Sequence, residues 1–261
     1  MITVVDQIGQ SHTFKNAPQR IVSLVPSQTE LLVDIGLIDA IQGVTKFCVH
    51  PEGLRKKKTV VGGTKQVAIE KIKALAPDII LCNKEENTKE IVTSLSQIAP
   101  VHVSDVKTMA DAYGLIEQYG TLFNVSAVTE EIIVTIKKRA ASFKESQLVN
   151  ATKRCMYLIW RDPYMAVGRG TFIDHLLSLN GFENHIQEER YPEVTLKSFE
   201  EVDYVLLSSE PFPFAEKHRK ELQKFTNAKV ILVDGEYFSW YGSRLLKAFD
   251  YFKNLQIQLA R

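Results

Sequence analysis

The sequence runs through one pattern twice, and this limits the fold more than any other feature. Residues 20–43, RIVSLVPSQTELLVDIGLIDAIQG, read as a short apolar strand, a polar loop and a helix halted at Gly36. Residues 154–186, RCMYLIWRDPYMAVGRGTFIDHLLSLNGFENHI, follow the same order with a longer loop and a helix halted at Gly181. Each copy leads to a short helix and an apolar strand, AIEKIKALAPDIILCN at 68–83 and TLKSFEEVDYVLLSS at 195–209. A third pair, at 87–106 and 216–235, is again a helix running into a strand. Strand followed by helix throughout predicts an α/β fold of two lobes with mainly parallel sheets, whose functional loops lie at the strand ends. Two such lobes in one chain predict a ligand cleft between them.

The spacing predicts three parts: an N-terminal lobe over 1–107, a connecting segment over 108–150 and a C-terminal lobe over 151–261. Each lobe is then roughly 100 residues, a common domain size. Residues 2–5 and 12–14 flank a turn-rich segment ending Gly9-Gln10 and predict a hairpin. Arg20 to Val25 reads as a buried strand, and Val44 as the start of the next. Ser27-Gln28-Thr29-Glu30 has the form of a capping box, with Leu31, Leu32, Ile35 and Leu37 turned inward behind it. In the connecting segment, Met109 to Tyr119 is periodic, and Ser126 to Gln147 places Val128, Ile132, Ile133, Ile136, Ala140 and Phe143 on one face without a Gly or Pro. A helix of about 20 residues spans about 30 Å, enough to join two lobes rigidly.

Composition narrows the function. The 261 residues carry 32 Lys and Arg against 31 Asp and Glu, a formal charge of +1, so no nucleic-acid partner is expected. The run Arg55-Lys56-Lys57-Lys58 reads as a solvated loop. Cys48, Cys82 and Cys155 are too widely spaced for a disulfide framework or a structural zinc site, and Cys82 and Cys155 read as inert core thiols. Cys48 and His50 are a potential soft and imidazole ligand, but two ligands do not make a metal site. His175 and His185 read as core or surface histidines. No GxSxG, P-loop, HExxH or complete GxGxxG is present, and Gly168-Arg169-Gly170 is only a lone GxG, so no enzyme is expected. The start MITVVDQIGQ has neither a basic nor an apolar targeting region, and no apolar run reaches the ~20 residues of a membrane span.

Several motifs carry a family likeness. DQIGQSHTFKNAPQRIVSLVPSQTELLVDIG, VVGGTKQVAIEKIKALAPDIIL, GRGTFIDHLLSLNGFENHIQEERYPEVTLKSFEEVDYVLL and VDGEYFSWYGSRLLKAF resemble, in family order and spacing, the helical-backbone substrate-binding proteins of ABC importers, the cobalamin-binding group in particular. The resemblance implies two Rossmann-like lobes joined by one rigid helix, with a corrinoid, siderophore or haem held between them. It also implies an extracytoplasmic, monomeric, non-catalytic protein that needs no cofactor and delivers its metal-containing ligand to a permease. Phe47, Trp160, Tyr164, Tyr237, Trp240 and Tyr241 fall in or near the loops whose aromatics sandwich the corrin ring in that group. Glu70 matches the first of two surface glutamates that meet permease arginines. Lys197 stands where the second aligns, with Glu200 and Glu201 nearby, and Thr64 and Asn83 replace two tryptophans of the cobalamin group. The absent export signal and Lys197 keep a second expectation open, a cytoplasmic corrinoid- or metal-handling protein with the same cleft and no permease.

Residues 238–244, FSWYGSR, form the sharpest candidate. Three aromatics in a short polar loop are costly to expose, and their polar tips make complete burial unexpected. Arg244 is expected either to neutralise a phosphate or propionate or to pair with Glu236 on the surface. Trp160-Arg161-Asp162-Pro163-Tyr164 leaves its strand at the position equivalent to Pro26-Ser27, so Trp160 is expected as a ligand wall or a core residue.

Overall fold

A computed structural model describes residues 1–146 and 153–259. They fall into two compact units. The first comprises Met1–Val106, Ala110–Lys137 and Tyr241–Leu246; the second comprises Lys107–Met109, Lys138–Trp240 and the chain from Lys247 onward. Most of the expected connecting segment thus belongs to one unit or the other, and six residues close to the C-terminus return to the first. The expected boundary at 150/151 lies outside the described residues.

In the first unit, β1 (Ile2–Val5) and β2 (Ser11–Phe14) pair antiparallel around a turn with Gly9 at φ +87°. The Asp6 carboxylate pins this hairpin by accepting the N–H groups of Ile8, Gln10 and Val103. Five parallel strands follow: β3 (Ile21–Ser23), β4 (Ile41–Val44), β5 (Thr59–Val60), β6 (Ile79–Asn83) and β7 (Val101–Ser104). Their spatial order is β5-β4-β3-β6-β7. Helices α1 (Pro26–Asp34), α2 (Leu54–Lys57), α3 (Ile69–Ala74) and α4 (Lys89–Leu95) alternate with them. All five residues of β6 are buried, as expected for a parallel strand covered on both faces. Val22, Leu24, Ile72, Ile80, Leu95 and Val101 form the core beside it.

The second unit repeats the topology. Strands β8 (Lys153–Trp160), β10 (Phe182–Asn184), β11 (Tyr204–Ser208) and β12 (Lys229–Val233) are parallel in the order β10-β8-β11-β12, matching β4-β3-β6-β7. The longer loop of the second copy holds β9 (Met165–Ala166), which folds back antiparallel on β8. Helices α7 (Phe172–Leu179), α8 (Glu216–Leu222), α9 (Gly235–Ser239) and α10 (Leu245–Leu259), with one 3₁₀ turn at Leu196–Phe199, complete the alternation. Met156, Leu158, Phe199, Val205 and Leu207 centre the core.

Two helices lie between the sheets in sequence, α5 (Met109–Leu122) and α6 (Ser126–Ser146). Helix α6 is unbroken over its described length, with Ser126–Lys137 in the first unit and Lys138–Ser146 in the second. Gln147, its expected last residue, lies outside the described residues. Gly120 lets α5 and α6 meet: a Cβ there would stand 2.1 Å from Thr129 Oγ1. Among the described residues, no helix is long and apolar enough to cross a membrane.

The structure corrects several local expectations. Val44 ends its strand rather than starting one. The capping box at 27–30 does not form, because Pro26 occupies the first turn of α1 and Val25 is the N-cap, with no side-chain cap. Pro is favoured there since that turn has no use for its missing N–H. On α6 the buried residues are Thr129, Ile132, Ile136 and Phe143, while Val128 is exposed.

Candidate functional site

In a parallel α/β sheet the carboxyl ends of the strands carry the ligand loops, above all where the strand order reverses. In the first unit that point is β3, flanked by β4 and β6; in the second it is β8, flanked by β10 and β11.

Beyond β3, Ser27, Gln28, Thr29 and Glu30 are all buried. Gln28 Nε2 donates to Ser104 Oγ (2.6 Å) and the Tyr241 hydroxyl (3.2 Å), and Gln28 Oε1 accepts from the Tyr119 hydroxyl (2.7 Å). Asn83 Nδ2 donates to Ser104 Oγ at 3.0 Å. Arg244 reaches Glu30 with two nitrogens, Nε to Oε2 at 2.9 Å and Nη2 to Oε1 at 2.8 Å. Burial pushes the Glu30 carboxyl above the usual carboxylate range, although the Arg244 guanidinium pulls the other way. Burial likewise raises the Tyr241 and Tyr119 hydroxyls, so both stay protonated donors. The returning segment therefore covers the start of α1 with its own aromatic and its own cation.

Exposed chemistry in this unit lies beyond β4. Phe47 is 48% exposed, with Lys46 and Val49 exposed beside it. Cys48 between them is buried against Thr29 Oγ1 (3.1 Å) and Thr45 Oγ1 (3.3 Å), and burial raises its thiol pKa, which keeps it from acting as a thiolate. Cys82, in β6, is buried and pushed up to about 12; Cys155, in β8, is also buried and raised. Among the described residues, no three of His, Cys, Asp and Glu gather as a metal site.

At the carboxyl end of β8, Trp160 is 41% exposed and meets Phe212 edge-on at 5.9 Å. Phe212 in turn packs on Phe214 at 4.8 Å and His218 at 5.3 Å. Arg161 donates to Glu221 at 2.7 Å, and half-buried Tyr164 meets Phe199 edge-on at 6.0 Å. Phe212 and Phe214 were not singled out from the sequence. The run PFPF at 211–214, between an apolar strand and a helix, is the signal that would have found them.

Residues 238–244 correct the sequence reading. Phe238 lies inside α9 and is fully buried against Tyr157 and Phe252, and Trp240, Tyr241 and Arg244 are buried as well. Their polar atoms find partners within the protein: Trp240 Nε1 donates to Glu210 Oε1 at 2.9 Å, which also accepts from Ser239 Oγ at 2.6 Å. Burial raises the Glu210 carboxyl, with the Ser239 and Trp240 hydrogen bonds opposing. Arg244 pairs with buried Glu30. Tyr237 is half-buried and stacked on Tyr251 at 4.6 Å. Glu70, in the first turn of α3, and Glu200, just after the 3₁₀ turn, are both exposed, as is Lys197.

Comparisons with known proteins place these features in a family. The family model for periplasmic binding proteins matches residues 21–211. The chain is 26% identical over 187 residues to an uncharacterized ABC transporter substrate-binding lipoprotein, YvrC, of Bacillus subtilis, covering 68% of this chain and 59% of that one. It is 24% identical over 243 residues to the vitamin B12-binding protein of Pectobacterium carotovorum, covering 88% and 86%. Among solved structures, the periplasmic vitamin B12 binding protein BtuF of Vibrio cholerae has the same fold, with a TM-score of 0.80 at 21% identity over 94% of this chain and 99% of that one. The periplasmic heme-binding protein RhuT from Roseiflexus sp. RS-1 matches with a TM-score of 0.80 at 17% identity, over 93% and 99%. The family match covers most of the chain, including both strands where the order reverses and the loops that follow them, so the protein belongs to the periplasmic binding protein family.

Proposed function

We propose that this chain is the ligand-binding component of an ABC-type import system and that it captures a corrinoid or another metal chelate, such as a siderophore or haem. The observation that carries the reading is the pair of exposed aromatics, Phe47 just beyond the carboxyl end of β4 and Trp160 at the carboxyl end of β8, each in its own unit. Exposed aromatic faces suit a broad, flat or chelated ligand, because they bury large area at little cost in conformational freedom. The similarity to a vitamin B12-binding protein and a heme-binding protein supports the same class. The reading assigns no reaction to the chain and places it outside the cytoplasm. Tyr164 and Tyr237 are proposed as further ligand contacts, with Trp240, Tyr241 and Arg244 supporting the loops from inside. Exposed Glu70 and Glu200 are proposed as contacts for permease arginines. Equilibrium titration with cyanocobalamin, haem and a ferric siderophore tests the ligand class. At least one is expected to bind in the micromolar range or tighter; if all are weaker than about 1 mM, only ~4 kcal/mol, the class is wrong.

A further inference from the structure

From the loop beyond β4 we infer that the ligand carries an anionic group, a carboxylate or phenolate, on the edge that meets the first unit. This rests on the ligand-binding role proposed above and narrows its substrate class. Lys46 Nζ stands 5.0 Å from the centroid of the Phe47 ring, and both side chains are exposed. The backbone beneath them is held at several points. The Lys46 N–H donates to Gly62 O at 2.7 Å, the Phe47 N–H to Thr45 Oγ1 at 3.2 Å, and Arg55 Nη1 donates to Lys46 O at 2.7 Å. Gly63 leaves room for the ring: a Cβ there would come within 3.3 Å of the Phe47 edge. A cation and an aromatic face are thus presented together to solvent on a fixed backbone.

The neighbouring charges sharpen this. Lys84 is engaged by Asp105 at 2.6 Å, and Lys65 donates to the backbone oxygen of Glu85. Glu85 and Glu86 add negative charge at the end of β6, both half-buried. The anion preference is therefore a local property of the Lys46–Phe47 pair, with the Arg55 guanidinium held at the Lys46 backbone, rather than of a broad basic face. A ligand that lays an apolar ring or methylene edge on Phe47 brings its periphery to the Lys46 ammonium. A carboxylate or phenolate there gains a charge-assisted contact that an amide or ester does not.

Matched ligands test this by changing charge at nearly constant shape: haem against its dimethyl ester, and a ferric tris-catecholate against a neutral ferric tris-hydroxamate, with cyanocobalamin alongside. The anionic member of a pair is expected to bind more tightly. Lys46→Gln is expected to weaken it about fivefold at low ionic strength, the scale of one partly screened ion pair, and to leave the neutral member unchanged. The loss should shrink at about 0.5 M salt, where the screening length is a few ångströms. Lys57→Gln, the same charge change on the exposed end of α2, should have little effect. Equal affinities within both pairs, an unchanged anionic ligand in Lys46→Gln, or an equal loss in Lys57→Gln would each overturn the inference while leaving the import role standing. If no chelate binds the wild-type protein at all, the import reading itself falls, and this inference with it.

Discussion

The loops beyond β3 and beyond β8 occupy equivalent places in sheets of the same strand order, yet they ended in opposite states. Beyond β3 the polar residues Ser27 to Glu30 are sealed under Tyr241 and Arg244. At the end of β8, Trp160 is partly exposed and meets Phe212 of a cluster with Phe214 and His218. The two units share the order of strands and helices but not the surface chemistry of equivalent points. The cause is local. One copy is covered by a segment from the far end of the chain, and the other carries an extra strand, β9, against its own β8. In the first unit the exposed aromatic lies one strand over, at Phe47 beyond β4.

The largest expected effect breaks the sealed side. Arg244→Ala leaves the Glu30 carboxylate buried without its cation and should cost ~3–5 kcal/mol of stability, read from urea denaturation. A loss under about 1 kcal/mol would mean that water reaches Glu30 and that the cover is loose.

The two tryptophans sharpen the contrast. Buried Trp240 donates to Glu210, and Trp240→Ala should lower stability by ~3–5 kcal/mol. Exposed Trp160 should cost under ~1 kcal/mol of stability when truncated, but ~1–3 kcal/mol of ligand affinity. Melting curves and titrations on both variants check this, and a reversal would exchange the two residues between core and site.

The smallest effect is a pH dependence. The Glu210 carboxyl has a raised pKa in the folded state, so its contribution is fully present below its ordinary carboxylate range and is lost as pH rises through the raised value. Glu210→Gln keeps an oxygen for Trp240 and Ser239 but carries no charge. The melting temperature of the Gln variant relative to wild type should therefore be about level near pH 4 and climb toward pH 8. A flat difference across that range would show that the wild-type carboxylate ionises without cost.

Much of this was legible in the sequence, because period and punctuation are local properties. The hairpin, the alternation of strand and helix, and the doubling of the pattern follow from apolar runs and from Gly36 and Gly181. The sealed loop was not legible, since Tyr241 and Arg244 meet partners 213 and 214 positions away. The serine-to-glutamate spacing at 27–30 satisfied a local rule, but Pro26 claimed the helix start and Arg244 claimed Glu30. At Trp240 the need of an indole N–H for a partner was read correctly. The partner was a carboxylate of the same unit, which allowed the burial that the sequence argued against.

The return of Tyr241–Leu246 to the first unit also bears on biosynthesis. A ribosome releases β1 to β7 early, but the hydroxyl that Gln28 meets and the guanidinium that Glu30 meets emerge only after the whole second sheet has been made. The half translated first is completed last, so a nascent chain stalled anywhere before residue 241 carries an unfinished N-terminal half with buried-type polar groups open to water.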